Sequence, residues 1–160
     1  MIESVSSAQQ IAPALDVALG RWSARRRVVV APDPLLRSWL GACATLDVRF
    51  GPATTADPVG VMLPVAAVAE TGTLVFHSGP GCPTSLAFLP DYFVAVVPHS
   101  RVVPTYEAAL EQLPRGTSGE AMPRRICLVT GPSRTADIEE MLLLGAHGPR
   151  TVLLIMVEGL

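Results

Sequence analysis

Apolar residues along this chain fall into two patterns, short uninterrupted runs and stripes at helical spacing, and the two alternate over most of its length. Across Ser7–Ala24, the residues Ile11, Leu15, Ala18, Leu19 and Trp22 share one face, which predicts a helix with Pro13 in its first turn. Val28–Ala31 is a run without polar interruption, as in a strand buried on both faces. Pro32-Asp33-Pro34 then opens a short helix through Leu40, and Leu46–Phe50 is a second strand, of alternating character. A loop rich in Pro, Thr and Asp covers Gly51–Pro58. Val59–Ala69 is almost free of polar residues, and Pro64 divides it into a strand, a turn and a short helix. Thr73–His77 reads as a strand, Thr84–Phe88 as a short helix, Tyr92–Val97 as a central strand and Thr105–Leu113 as an amphipathic helix. A polar loop at Pro114–Arg125 leads to a strand at Ile126–Thr130. The chain closes with a helix bounded by Gly131 and Gly145, then a strand at Thr151–Val157. About six strands thus alternate with about five helices, without an internal repeat or a dividing linker. The pattern predicts one three-layer α/β domain over residues 1–160, built on a mainly parallel sheet.

Composition narrows the functional classes. Of 160 residues, 49% are hydrophobic and 16% charged, enough to bury a proper core, and the net charge of −2 gives no footprint for nucleic acid. The one basic cluster, Arg25-Arg26-Arg27, lies at a helix–strand junction and reads as solvated. All 12 basic residues are arginine. Without lysine there is no Schiff base, no pyridoxal phosphate attachment and no P-loop lysine. Cys43, Cys82 and Cys127 are dispersed, so clustered thiolates for an iron–sulfur centre or structural zinc are missing. No dinucleotide fingerprint follows a predicted strand, and the expectation is a chain without metal or cofactor. Scattered thiols fit a reducing cytoplasm. The N-terminus lacks the features of a signal peptide, and the glycines and prolines of the uncharged run Thr71–Pro90 rule out a spanning helix there. A soluble cytoplasmic protein is expected; assembly into a homo-oligomer is left open.

Several residues carry candidate chemistry. Glu70 interrupts an apolar run and is followed by Thr71-Gly72-Thr73. Burial there would raise its pKa and suit it to a base or nucleophile, and Gly72 permits a positive φ that lets neighbouring N–H groups converge on a ligand. The alternative is a carboxylate that caps a turn. Ser78-Gly79-Pro80-Gly81-Cys82 follows a strand and reads either as a substrate-facing loop or as a tight turn. Arg101 ends another strand, placed to hold a carboxylate or to form a surface ion pair; His77 and His99 also end strands. In the last unit, Gly131 and a helix capped by Ser133 or Thr135 aim N–H groups at one point, suiting an anion. Arg134 adds charge there, whereas Asp137 and Glu139 oppose it. His147 stands past the predicted helix end, as a cap or as a charged imidazole.

Three segments, Ala69-Glu-Thr-Gly-Thr-Leu74, Val96-Val-Pro-His-Ser-Arg101 and Gly131–Pro149, together resemble the LUD domain of the lactate utilization protein C (LutC/YkgG) type, and the likeness is strongest over 59–160. The resemblance implies a Rossmann-like fold of the ribose-phosphate isomerase and CoA-transferase group. It implies a non-redox component of bacterial lactate utilization, the oxidation of L-lactate to pyruvate, beside iron–sulfur partner subunits. A small carboxylate or phosphate ligand is in keeping with it. Two other readings stand beside this one: a transferase- or isomerase-type enzyme using Glu70, and a non-catalytic carboxylate-binding regulatory domain. The chain departs from the family pattern G-V-T-x-A-D at Met62 and Val65, where threonine and aspartate are expected. Its N-terminal part is also shorter than the resemblance leads one to expect, which takes away a surface for partners.

Overall fold

The uninterrupted apolar runs of the sequence become neighbouring strands of one parallel sheet. The structure, a computed structural model, describes residues 1–22, 24, 26–114, 123–138 and 141–160. Its elements are β1 (Ile2–Val5), α1 (Ile11–Arg21), β2 (Arg27–Val30), α2 (Pro34–Leu40), β3 (Asp47–Phe50), β4 (Val59–Met62), β5 (Ala66–Val68), β6 (Thr73–His77), β7 (Tyr92–Pro98), β8 (Val102–Val103), α3 (Tyr106–Glu111), β9 (Ile126–Val129), β10 (Arg134–Ile138), β11 (Met141–Leu144) and β12 (Thr151–Val157). Six strands in the order β1-β12-β7-β4-β2-β3 form the main sheet, and all of its pairings are parallel. A second sheet, β8-β5-β6-β9, is antiparallel except where β5 meets β8.

Strand register shows what covers each face, because paired residues point the same way. Phe50, Val30, Val61 and Val94 are paired in sequence across the sheet, and Tyr92 shares their face. The Trp22 ring at the end of α1 stacks on Tyr92 at 4.6 Å, and the Arg37 guanidinium of α2 lies 4.4 Å over Phe50. Helices α1 and α2 therefore cover this face. The stripe Ile11, Leu15, Ala18 and Leu19 of α1 is fully buried, as its spacing predicts, and Pro13 lies in the first turn. On the opposite face, Phe93 meets Phe76 of the second sheet edge-on at 5.8 Å. Gly60 shares that face. A Cβ on it would lie 2.4 Å from the Leu86 carbonyl oxygen, so the Thr84–Ala87 3₁₀ turn packs directly on the strand backbone. The outer face of the second sheet is covered by α3, with Ala109 and Leu113 against Ala66, Val68 and Val75.

The α/β fold on a mainly parallel sheet follows the sequence pattern, but the expected three layers become four, because the second sheet stands between the main sheet and α3, and three segments also differ. The chain opens with β1, paired to β12, where no element was expected. Residues 66–68 form a strand, not a short helix, because antiparallel pairing with β6 claims their backbone groups. The segment expected to be a helix between Gly131 and Gly145 contains the antiparallel pair β10–β11. Its ends are pinned together: the Gly145 N–H donates to Ser133 O at 3.0 Å, and the His147 N–H donates to Ser133 Oγ at 3.2 Å. A helix would hold residues 133 and 145 roughly 18 Å apart. The anion site expected at a helix N-terminus here is thereby removed, and so is the dipole argument for His147. Arg25, Glu139 and most of the Pro114–Arg125 loop lie outside the described residues. Among the described residues, no helix is long and apolar enough to cross a membrane.

Candidate functional site

In the main sheet the chain passes from β2 outward to β3, then returns to the other side of β2 as β4. Open α/β sheets bind ligands at such a reversal, outside the carboxyl ends of the strands. A cavity of about 480 Å³ occupies this position. Asp33 enters it from beyond β2, Leu63 and Val65 from beyond β4, and Ser100 and Arg101 from beyond β7. The end of β6 contributes His77 and the loop after it Gly79, Gly81 and Cys82, and Gln112 closes it from the end of α3.

Local structure fixes each of these groups. The Asp33 carboxylate caps α2, Oδ1 accepting from Leu35 N at 2.8 Å and Leu36 N at 3.3 Å. Gly79-Pro80-Gly81-Cys82 is a tight turn, closed by Cys82 N–H donating to Gly79 O at 3.0 Å, and it also lines the cavity. The tight-turn reading of this loop therefore holds. Half-buried Arg101 donates through NH1 to Pro64 O at 2.6 Å. Among the described residues no carboxylate forms an ion pair with it, so the alternative of a surface salt bridge is not met among them. Among the described residues no other hydrogen bond occupies its guanidinium, a fork whose geometry matches a carboxylate. Burial pushes the Cys82 thiol up to about 11, with the nearby Cys127 and Asp33 adding to it against a hydrogen bond from the His77 backbone. A thiol held protonated is no nucleophile. Val65, standing where the family pattern has aspartate, turns an apolar side chain to the cavity, and Met62 is fully buried.

Glu70 lies elsewhere. It sits in the turn between β5 and β6, beyond the end of β6 opposite His77, and the strand between them is roughly 13 Å long. It is exposed, contrary to the expected pocket, so no desolvation prepares it as a base or nucleophile. Gly72 has φ 67°, as anticipated, and its N–H closes the turn on Val68 O at 2.9 Å. Beside it is a cluster of hydroxyls. Fully buried Thr73 Oγ1 lies 2.8 Å from Thr71 Oγ1, 2.7 Å from Tyr106 OH and 2.7 Å from Thr130 Oγ1. Hydrogen bonds from Thr71 and then Thr73 pull the Tyr106 phenol below its ordinary range, against burial and the charge of Glu70.

Gly131, Ser133, Arg134 and His147 come together around a second cavity of about 330 Å³, which Thr130 also lines. The Thr73–Thr130 bond links it to the start of β6, at the same end of the second sheet as the Glu70 turn. The candidate residues thus divide into two groups. Gly79, Gly81 and Arg101 share the switch-point cavity; Gly131, Ser133, Arg134 and His147 share the second one with Thr130, to which Thr73 is hydrogen-bonded. Sequence reasoning passed over Asp33, Ser100, Gln112, Tyr106 and Thr130. Asp33 carried a usable signal, a polar residue just past a fully buried strand. Tyr106 and Thr130 carried none, because their partners are distant in sequence. Among the described residues, no group of three or more His, Cys, Asp or Glu side chains is placed to hold a metal ion.

Comparison with known proteins identifies the family of the fold. The LUD domain family model matches residues 55–157. The chain is similar to lactate utilization protein C of Halalkalibacterium halodurans, with 39% identity over 101 residues, 62% of this chain and 44% of that protein. It is similar to the Bacillus licheniformis protein of the same name, with 34% identity over 128 residues, 79% of this chain and 53% of the relative. The chain therefore spans about half the length of the curated relatives it matches. Among solved structures, a DUF162 family protein from Deinococcus radiodurans superposes with a TM-score of 0.64 at 25% identity, covering 98% of this chain and 87% of that one. With a parallel sheet, a cavity at its switch point and a family match over most of its length, the chain belongs to the LUD domain family.

Proposed function

We propose that this chain acts in lactate utilization in the cytoplasm, as a component without a redox centre of its own, beside iron–sulfur partner proteins. Its relatives named lactate utilization protein C support the role, and its dispersed cysteines fit a division of labour in which partners carry the clusters. Within that role the switch-point cavity holds a small carboxylate. The observation that carries this reading is Arg101, whose guanidinium is fixed by the Pro64 carbonyl at the mouth of three parallel strands. Exposure of Glu70 weighs against the transferase or isomerase alternative built on that residue.

The test is genetic and biochemical together. Deletion of the gene in its native host should abolish growth on L-lactate as sole carbon source, and the intact gene should restore it. The Arg101→Gln form should restore it poorly while accumulating to normal levels. Normal growth of the deletion strain on lactate sinks the role; full rescue by Arg101→Gln sinks the assignment of the cavity. Tagged protein from lactate-grown cells should retain iron–sulfur proteins, and their absence from that complex removes the partner part of the proposal.

A further inference from the structure

The switch-point cavity is large for lactate. At about 480 Å³ it falls in the range of roughly 300–1,000 Å³ that encloses drug-sized ligands, and a three-carbon acid fills a small part of it. The charge on its walls is sparse. Among the described lining residues Arg101 is the one arginine, and Asp33 lines the same space. That balance suits a single carboxylate and works against a phosphate-rich ligand, which asks for several cations. The anchor also adjoins an apolar wall. The carbonyl that holds Arg101 belongs to Pro64, between Leu63 and Val65, and both of these line the cavity together with Val103 and Pro80. Val65 and Val103 pack against the buried cluster of Ala66, Val68, Val75 and Ala109, so the wall is supported from behind.

We propose that this cavity selects a monocarboxylate with an apolar body much larger than the methyl group of lactate, its carboxylate on Arg101 and its body against Leu63, Val65 and Val103. The inference rests on reading the cavity as the carboxylate site of the chain. A hydroxyl beside the carboxylate would meet acceptors and donors in Asp33, His77, Ser100 and Gln112. Burial of added apolar area on a preformed wall is what separates such a ligand from lactate.

Calorimetric titration of the full chain with L-lactate and L-phenyllactate tests this, because the two share a head group and differ in the body. Phenyllactate should bind at least tenfold more tightly, and phenylethanol, which lacks the carboxylate, should not bind. Val65→Thr, nearly isosteric, should weaken phenyllactate severalfold. Arg101→Gln, checked for folding by circular dichroism, should weaken phenyllactate tenfold or more. Equal or tighter binding of lactate overturns the inference while the carboxylate site itself stands, provided Arg101→Gln abolishes that binding. Failure of both acids to bind overturns the site and the inference together, and an unchanged phenyllactate affinity in Val65→Thr overturns the placement of the body.

Discussion

Thr73 Oγ1 lies 2.7 Å from Thr130 Oγ1, and this contact ties the turn bearing Glu70 to the segment leading into Gly131. Thr73 has one proton to donate and two lone pairs, and its three hydroxyl neighbours use all of them. Thr73→Val keeps the shape and removes the hub. It should lower stability by about 1–2 kcal/mol, the cost of leaving buried hydroxyls short of partners. Tyr106, pulled down by Thr71 and Thr73, should titrate at a higher pH in the variant. Denaturant unfolding reads the first effect and the alkaline absorbance change of the phenol reads the second; an unmoved Tyr106 would show the cluster to be incidental.

Gly60 is required by packing, since its backbone φ is not of the left-handed kind. A Cβ there would stand 2.4 Å from Leu86 O and 3.0 Å from Pro90 Cγ, against a carbonyl that is itself held in a 3₁₀ turn. Gly60→Ala should therefore cost roughly 1–3 kcal/mol, as overpacking does in a close-packed core. A thermal midpoint equal to that of the parent chain would mean that the turn yields at little cost.

These features differ in how far the sequence discloses them. Strands β2, β4, β7 and β12 were legible because strands buried on both faces must be apolar throughout. The positive φ of Gly72 was legible from its place in a tight turn. The nature of β5 was not, because Val65–Ala69 is a run of small apolar residues with no period, and pairing with β6 decides its backbone. The β10–β11 hairpin was misread for a related reason. Its residues include good helix formers, but propensity is a weak prior, and Ser133 pins Gly145 and His147 so that the chain must double back. The site followed the same division. Arg101, Gly79 and Gly81 were visible as polar or glycine positions at strand ends, whereas the distance of Glu70 from them emerges only when β6 is placed.

Cys82 gives a pH dependence whose sign is fixed. Burial, chiefly, holds its thiol at about 11, against an ordinary 9.0, so the folded state keeps a proton that the unfolded chain releases. Stability from this group is complete below pH 9.0 and is lost as the pH rises toward 11. Cys82→Ser should flatten the alkaline limb of the stability curve. Alkylation of Cys82 at pH 8 should run about a hundredfold slower than for a thiol of ordinary pKa. Mass-spectrometric mapping of iodoacetamide labelling checks this, and rapid labelling at neutral pH contradicts it.

Asp57 is the opposite case. It is 2% exposed, and its Oδ2 accepts from Arg49 NH2 at 2.5 Å, Thr54 N at 2.8 Å and Thr54 Oγ1 at 2.8 Å, while Arg27 lies 3.8 Å from Oδ1. It precedes β4, at the amino end of the strands and so away from the cavity at their carboxyl ends, and its role is structural. Burial pushes its carboxyl up, but the hydrogen bonds from Thr54 and the Arg49 guanidinium outweigh this and leave it below the ordinary 3.8. A depressed carboxylate stabilises the fold above the unfolded value and loses that contribution as the pH falls through the folded one. Asp57→Asn should therefore cost about 2 kcal/mol near neutrality, the range of a charge-assisted hydrogen bond. The gap between parent and variant should narrow below pH 3.8, where the unfolded parent takes up a proton that the folded one still refuses. Urea unfolding from neutrality down to acid measures both curves, and a gap of constant size across that range would remove the ion pair as its cause.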